Sequence, residues 1–164
     1  MIKVFSLLVE NTSGVLSRVS GLFSRRGYNI TSLTAGETSD PAFSRMTVVA
    51  EGDEQSLDQI RKQLAKLIDV VDIMTLEPDA SVCRELILIK VRVADEQRQS
   101  VIAMADVFRG KIVDVGLDSM IIELTGQQSK LDAFIRLLRD YEILEIARTG
   151  ITGLSRGSED VRFI

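Results

Sequence analysis

The residues in this sequence best suited to hold a small molecule are uncharged. Asn11, Thr12, Ser13 and Gly14 stand together in ENTSGVLSRVSGLFSRRGYNITSL, residues 10–33. Asn, Thr and Ser cap helices with a side-chain oxygen, and a glycine lets the backbone approach a bound group closely. Free amides at a helix start carry partial positive charge, so a small carboxylate can be held there without a cationic side chain. Across the helix, Asn29 brings a second neutral amide to the start of the next strand. Two asparagines with a glycine between helix amides suit a zwitterion better than a phosphate. A polar strand-to-helix connection is also what an ordinary helix cap looks like, so local chemistry leaves both readings open.

Other chemistry is thinly represented. The 164 residues include no histidine, which removes Ser-His-Asp and Cys-His nucleophile pairs and every histidine-dependent metal site. The single cysteine, Cys83, has no partner for an internal disulfide and no histidine to activate it. Carboxylates are many, but none stand at a spacing that suggests paired acid–base work. Neither a phosphate-binding glycine loop nor a dinucleotide fingerprint is present. No catalytic residue and no metal ligand is therefore assigned. With 20 basic against 24 acidic residues, the net charge of −4 argues against nucleic acid and anionic membranes, which require a basic surface. No apolar run approaches the roughly 20 residues of a membrane span, and MIKVFSLLVEN lacks a signal-peptide layout. The expected location is cytoplasmic.

The elements that would position the asparagine–glycine turn follow from periodicity. Residues 2–9, IKVFSLLV, read as a strand ending at Asn-Thr-Ser. A helix over about residues 14–26 shows Val15, Leu16, Val19, Leu22 and Phe23 as one apolar stripe, and Gly27 stands where a left-handed C-terminal residue is usual. Strands at 30–37 and 44–51 flank a loop containing Asp40-Pro41. Gly52-Asp53-Glu54 opens a second helix with Leu57, Ile60, Leu64, Leu67 and Ile68 inward, and residues 70–76 form a fourth strand. The order is β-α-β-β-α-β.

A polar segment at 77–81, containing Pro78, marks a boundary, and the pattern then repeats. Strands are expected at 86–93, 111–115, 120–125 and 143–148, with helices at 95–108 and around Leu131, Phe134, Ile135 and Leu138. GDEQSLDQI from Gly52 resembles GQQSKLDAF from Gly126, with Leu57-Asp58 falling on Leu131-Asp132. The expectation is α+β: two ferredoxin-like βαββαβ domains in tandem, helices on one sheet face and the other face open. Halves of about 80 residues have marginal cores, so burial in a dimer is expected. An RNA-binding use of such a sheet would need exposed aromatics on its central strands, and these carry no Tyr or Trp. The tail, 147–164, with Gly150, Gly153 and Gly157, reads as loop-like.

ENTSGVLSRVSGLFSRRGYNITSLT, together with SRMTVV, the helix beginning GDE and ARTGITGLSRG, resembles the small regulatory subunit of acetolactate synthase, also called acetohydroxyacid synthase. The resemblance covers nearly the whole chain. It implies an ACT domain, a ferredoxin-like amino-acid sensor, over 1–77; a linker over 78–83; and a second ferredoxin-like domain with a flexible tail over 84–164. It also implies a non-catalytic partner of the large catalytic subunit in branched-chain amino-acid biosynthesis. Such a subunit activates the large one and confers feedback inhibition by the branched-chain product, usually valine, while the choice among valine, leucine and isoleucine turns on a methylene or two that the sequence leaves open. Thiamine diphosphate, magnesium and FAD would belong to the catalytic subunit, and no cofactor to this chain. Carried over by motif, the effector site falls on Asn11 and Gly14 of one chain and on Asn29 and Ile30 of a homodimer partner, with Val15 or Leu16 completing the aliphatic wall. The C-terminal unit and tail are the expected contacts for the catalytic subunit. The other reading is an ACT-type sensor that controls a different enzyme or a transcription factor.

Overall fold

The mostly apolar residues 2–10 fold as strand β1 (Ile2–Glu10), whose pleat puts Phe5, Leu7 and Val9 on one face. The computed structural model describes residues 1–158. Two compact units emerge: Met1–Cys83 together with the described residues from Ile151 onward, and Arg84–Gly150.

In the first unit β1 is followed by α1 (Val15–Arg25), β2 (Ile30–Glu37), β3 (Phe43–Glu51), α2 (Glu54–Leu64) and β4 (Val70–Thr75). The strands pair antiparallel in the order β2-β3-β1-β4, the βαββαβ arrangement expected. Val15, Val19, Leu22 and Phe23 of α1 and Leu57, Ile60 and Leu64 of α2 close on Phe5, Leu7, Val9, Met46, Val48 and Ala50. Each fully buried Leu or Phe contributes about 1.5–3 kcal/mol by leaving water. Two residues depart from the expected stripes. Leu16, one position and about 100° round the helix from Val15, is 52% exposed. Ile68 is 90% exposed because α2 stops at Leu64 and the helical period ends with it.

Capping differs at the two helices. Asp53 caps α2 as its sequence suggests, its Oδ1 accepting from the Ser56 amide at 2.7 Å and its Oδ2 from the Ser56 hydroxyl at 3.1 Å. Those bonds hold the Asp53 carboxyl below its ordinary range, the Ser56 amide contributing most. At α1 the expected Asn11, Thr12 or Ser13 side-chain cap is absent, and Gly14 itself occupies the cap position with φ 85°.

The sheet face away from the helices is not open. Ser6, Leu8, Thr47 and Val49 are all buried there. The chain after Gly150 returns to this unit: Ser32 Oγ accepts from the Ile151 amide at 2.9 Å, and Thr34 Oγ1 donates to the Ile151 carbonyl at 3.1 Å. Strand β9 (Thr152–Ser155) then pairs with β5 (Ser81–Arg92). The tail is thus ordered through this strand, and the second unit ends at Gly150 rather than running to the end of the chain. The expected linker is a turn at Pro78–Ala80 followed directly by the start of β5. Residues 159–164, the end of the expected flexible tail, lie outside the described residues.

The second unit repeats the plan with the rest of β5, α3 (Arg98–Val107), β6 (Lys111–Val115), β7 (Ser119–Gly126), α4 (Gln128–Leu137) and β8 (Ile143–Arg148), in the sheet order β6-β7-β5-β8. Ile87, Ile89, Val91 and Val93 face Val101, Ala105, Leu131, Phe134 and Leu138. Glu85, only 5% exposed, accepts two bonds from Arg148 at 2.8 and 2.9 Å, and Asp132 accepts a third at 3.2 Å. The Glu85 bonds push the Arg148 guanidinium further up from its ordinary value.

Two stability predictions follow from these placements. A Cβ on Gly153 would stand 2.6 Å from Cys83 Sγ, 2.9 Å from Leu76 Cδ1 and 3.1 Å from the Val82 carbonyl oxygen. Gly153→Ala is expected to destabilise the fold by about 1–3 kcal/mol, read as a lower denaturation midpoint; an unchanged midpoint would mean that β9 is not seated there. Because the folded-state pKa of Asp53 is depressed, its contribution is present above the ordinary value of 3.8 and fades as pH falls through the folded-state pKa. Asp53→Ala should therefore lower Tm at neutral pH, with the gap from wild type narrowing under acid; a gap constant with pH contradicts the capping account.

Candidate functional site

The connection from β1 to α1 is a tight turn fixed mainly by backbone. The Glu10 amide donates to the Asp69 carbonyl at 2.9 Å, the Asn11 amide to the Ala42 carbonyl at 2.8 Å, and the Thr12 amide back to the Glu10 carbonyl at 3.0 Å. Gly14, at φ 85°, then turns the chain into α1. A residue with a Cβ pays about 1–2 kcal/mol in that left-handed conformation. The first helical bond runs from the Arg18 amide to the Gly14 carbonyl at 2.9 Å. No side chain caps this helix and no acidic residue stands in its first turn, so its positive end is uncompensated from within.

Asn11 is committed on one side of its amide. Nδ2 donates to the Pro41 carbonyl at 2.9 Å and to Glu37 Oε1 at 3.2 Å. With both N–H groups engaged, the side-chain oxygen is what Asn11 retains for a further bond, and it is an acceptor of the kind an ammonium requires. Glu37 adds a negative charge on the Nδ2 side of that amide. The β1–α1 connection therefore carries an uncapped, anion-attracting helix start and, at Asn11, an amide fixed through its nitrogen.

Arg18 is the group that sequence reasoning missed. Its Nε donates to Asp69 Oδ2 at 2.5 Å and its Nη2 to the Ser13 carbonyl at 3.4 Å. Its Nη1 stands 2.9 Å from where a Cβ on Gly14 would lie. The hydrogen bond with Asp69 raises the guanidinium above its ordinary value. The signal was present in spacing: side chains on a helix lean toward its N-terminus, so a residue four positions on covers the one before it. Asp69, arriving from the far end of the unit, left no such local mark.

The remaining expected residues divide. Val15 is 5% exposed and belongs to the core, so its side chain faces the sheet rather than the turn, whereas Leu16 is half exposed beside it. Asn29 is exposed and Ile30 half-buried against the core at the start of β2. They lie beyond the far end of α1, an 11-residue helix that spans about 16 Å at 1.5 Å per residue. One copy of the chain does not bring Asn11 and Gly14 together with Asn29 and Ile30. β2 is an edge strand of its sheet within the unit, which leaves one side of it without a strand partner there.

Among the described residues no group of His, Cys, Asp and Glu is arranged to hold a metal ion, and no helix is long and apolar enough to cross a membrane.

Comparison with known proteins covers both units. A family model described as the AHAS small subunit-like ACT domain matches residues 5–72, and one described as the small subunit of acetolactate synthase matches residues 84–157. A probable acetolactate synthase small subunit of Methanothermobacter thermautotrophicus is 51% identical, over 94% of this chain and 93% of that protein. The acetolactate synthase isozyme 3 small subunit of Escherichia coli is 48% identical, over 99% of this chain and all of that protein. The crystal structure of the acetolactate synthase small subunit from Thermotoga maritima superposes with a TM-score of 0.88 at 44% identity, covering 96% of this chain and 99% of that one.

Proposed function

Because this chain belongs to the acetolactate synthase small-subunit family, we propose that it is the regulatory subunit of an acetolactate synthase, activating a large catalytic subunit and making it sensitive to a branched-chain amino acid. The observation that carries the sensing role is the uncapped start of α1 at Gly14, three residues after Asn11, whose amide nitrogen is held by Pro41 and Glu37 and whose side-chain oxygen keeps its acceptor capacity. A zwitterion meets complementary charge at both of its ends there. Leu16 and Ile30, aliphatic and exposed or half-exposed, suit a branched-chain side chain, and valine is the member we favour on the family resemblance.

The site is shared between two copies. Asn11, Gly14 and Leu16 come from one chain, and Asn29 and Ile30 from the other, since a single copy holds the two sets at opposite ends of α1. Pairing of two first units side by side would bring the turn of one to the start of β2 in the other. A ligand bound by both chains stabilises only the arrangement that presents both halves, and so shifts the dimer toward it. A coupling of about 1–3 kcal/mol is enough for strong inhibition of the catalytic partner. Thiamine diphosphate, magnesium and FAD are assigned to that partner; the chemistry of this chain is binding alone.

Two outcomes are expected from calorimetric titration with valine, leucine and isoleucine and from assay with the large subunit that co-purifies. Gly14→Asp introduces a carboxylate beside Arg18, where the effector's own carboxylate would sit; it should abolish inhibition while leaving activation intact. Normal sensitivity in that variant would put the site elsewhere. Asn29→Ala should weaken the effector by about 1–3 kcal/mol, the cost of a lost hydrogen bond to a charged group, and an unchanged isotherm would remove Asn29 from the site.

A further inference from the structure

The geometry points to Arg18, braced by Asp69 over Gly14, as the group that receives the carboxylate of the effector and so makes the site selective for free α-amino acids. This rests on the regulatory reading above and adds a residue to its site.

Arg18 is placed where a cation is costly. The amino end of α1 is already positive, and a guanidinium leaning over it opposes the helix dipole. Asp69 offsets part of that charge through Nε, at 2.5 Å. The pair is asymmetric: the Asp69 side chain is 9% exposed and the Arg18 side chain 46%. Asp69 is also tied down through its backbone, its carbonyl accepting from the Glu10 amide at 2.9 Å. The carboxylate is thus a fixed brace and the guanidinium its exposed working end.

The donors of Arg18 divide accordingly. Nε faces Asp69 and Nη2 reaches the Ser13 carbonyl at 3.4 Å, while Nη1 accounts for none of the hydrogen bonds among the described residues. Nη1 lies over Gly14, 2.9 Å from where a Cβ would be, and Gly14 is the residue at the cap position of the uncapped helix. A carboxylate arriving at the first amides of that helix meets an N–H of Arg18 in the same place. A planar guanidinium held at one edge presents its other N–H groups in a fixed direction, the geometry a carboxylate accepts best. Gly14 is then required twice, for its left-handed backbone and for the room that Arg18 occupies.

The test is calorimetric titration of the full chain with valine and with valinamide, which lacks the carboxylate, for wild type, Arg18→Gln and Arg18→Lys. Wild type should prefer valine. Arg18→Gln should lower valine affinity about tenfold or more and leave valinamide nearly unchanged, erasing the preference. Arg18→Lys, which keeps the charge without the fork, should retain part of it. If Arg18→Gln keeps the wild-type ratio of valine to valinamide affinity, including the case where both fall together, the assignment is wrong and the pair only holds the turn. The lysine variant reads the same ratio should the glutamine variant unfold. Failure of wild type to bind valine at all would overturn the regulatory reading instead.

Discussion

The left-handed backbone at Gly14 is the constraint on which the site depends. It lets β1 turn into α1 without a side-chain cap, which leaves the first amides of the helix unclaimed. The same conformation exposes the flank of residue 14 to Arg18, and Asp69 fixes Arg18 there. Asp69 is in turn anchored to the end of β1 through the Glu10 amide. One glycine, one ion pair and one backbone bond therefore link the end of β1, the start of α1 and the segment leading to β4.

Most of the fold was legible in the sequence because it is written in local periodicity. Phe5, Leu7 and Val9 alternate as a strand must, and Val15, Val19, Leu22 and Phe23 recur as a helix must, so the βαββαβ order of each unit could be read directly. What was illegible depends on residues distant in sequence. Leu16 and Val15 are equally apolar, and only the direction of the core separates the exposed one from the buried one. The tail looked like loop because its glycines carry no periodic signal. Gly153 is there for close approach to Cys83 and Leu76, a reason visible only once β9 is docked. At the site, Asn11 and Gly14 stood out by residue type. The orientation of Asn11 is set by Pro41 and Glu37, and the brace on Arg18 by Asp69, none of which a local reading can assign.

The length of α1 turns a list of site residues into a statement about assembly. Asn11 and Gly14 precede the helix and Asn29 and Ile30 follow it, so a ligand that touches both sets joins two copies of the chain. On the proposed reading sensing and pairing are one event, and the effector would act by choosing among arrangements of a dimer rather than by blocking a catalytic centre. The most direct test is complementation between two site variants. Chains carrying Gly14→Asp and chains carrying Asn29→Ala are titrated with valine separately, then mixed, allowed to exchange subunits and titrated again. In a two-fold dimer each mixed pair holds one doubly altered site and one intact site, so the account predicts that high-affinity binding returns at roughly one site in four of the whole population. A mixture that binds no better than its separate components would contradict a site built from two chains.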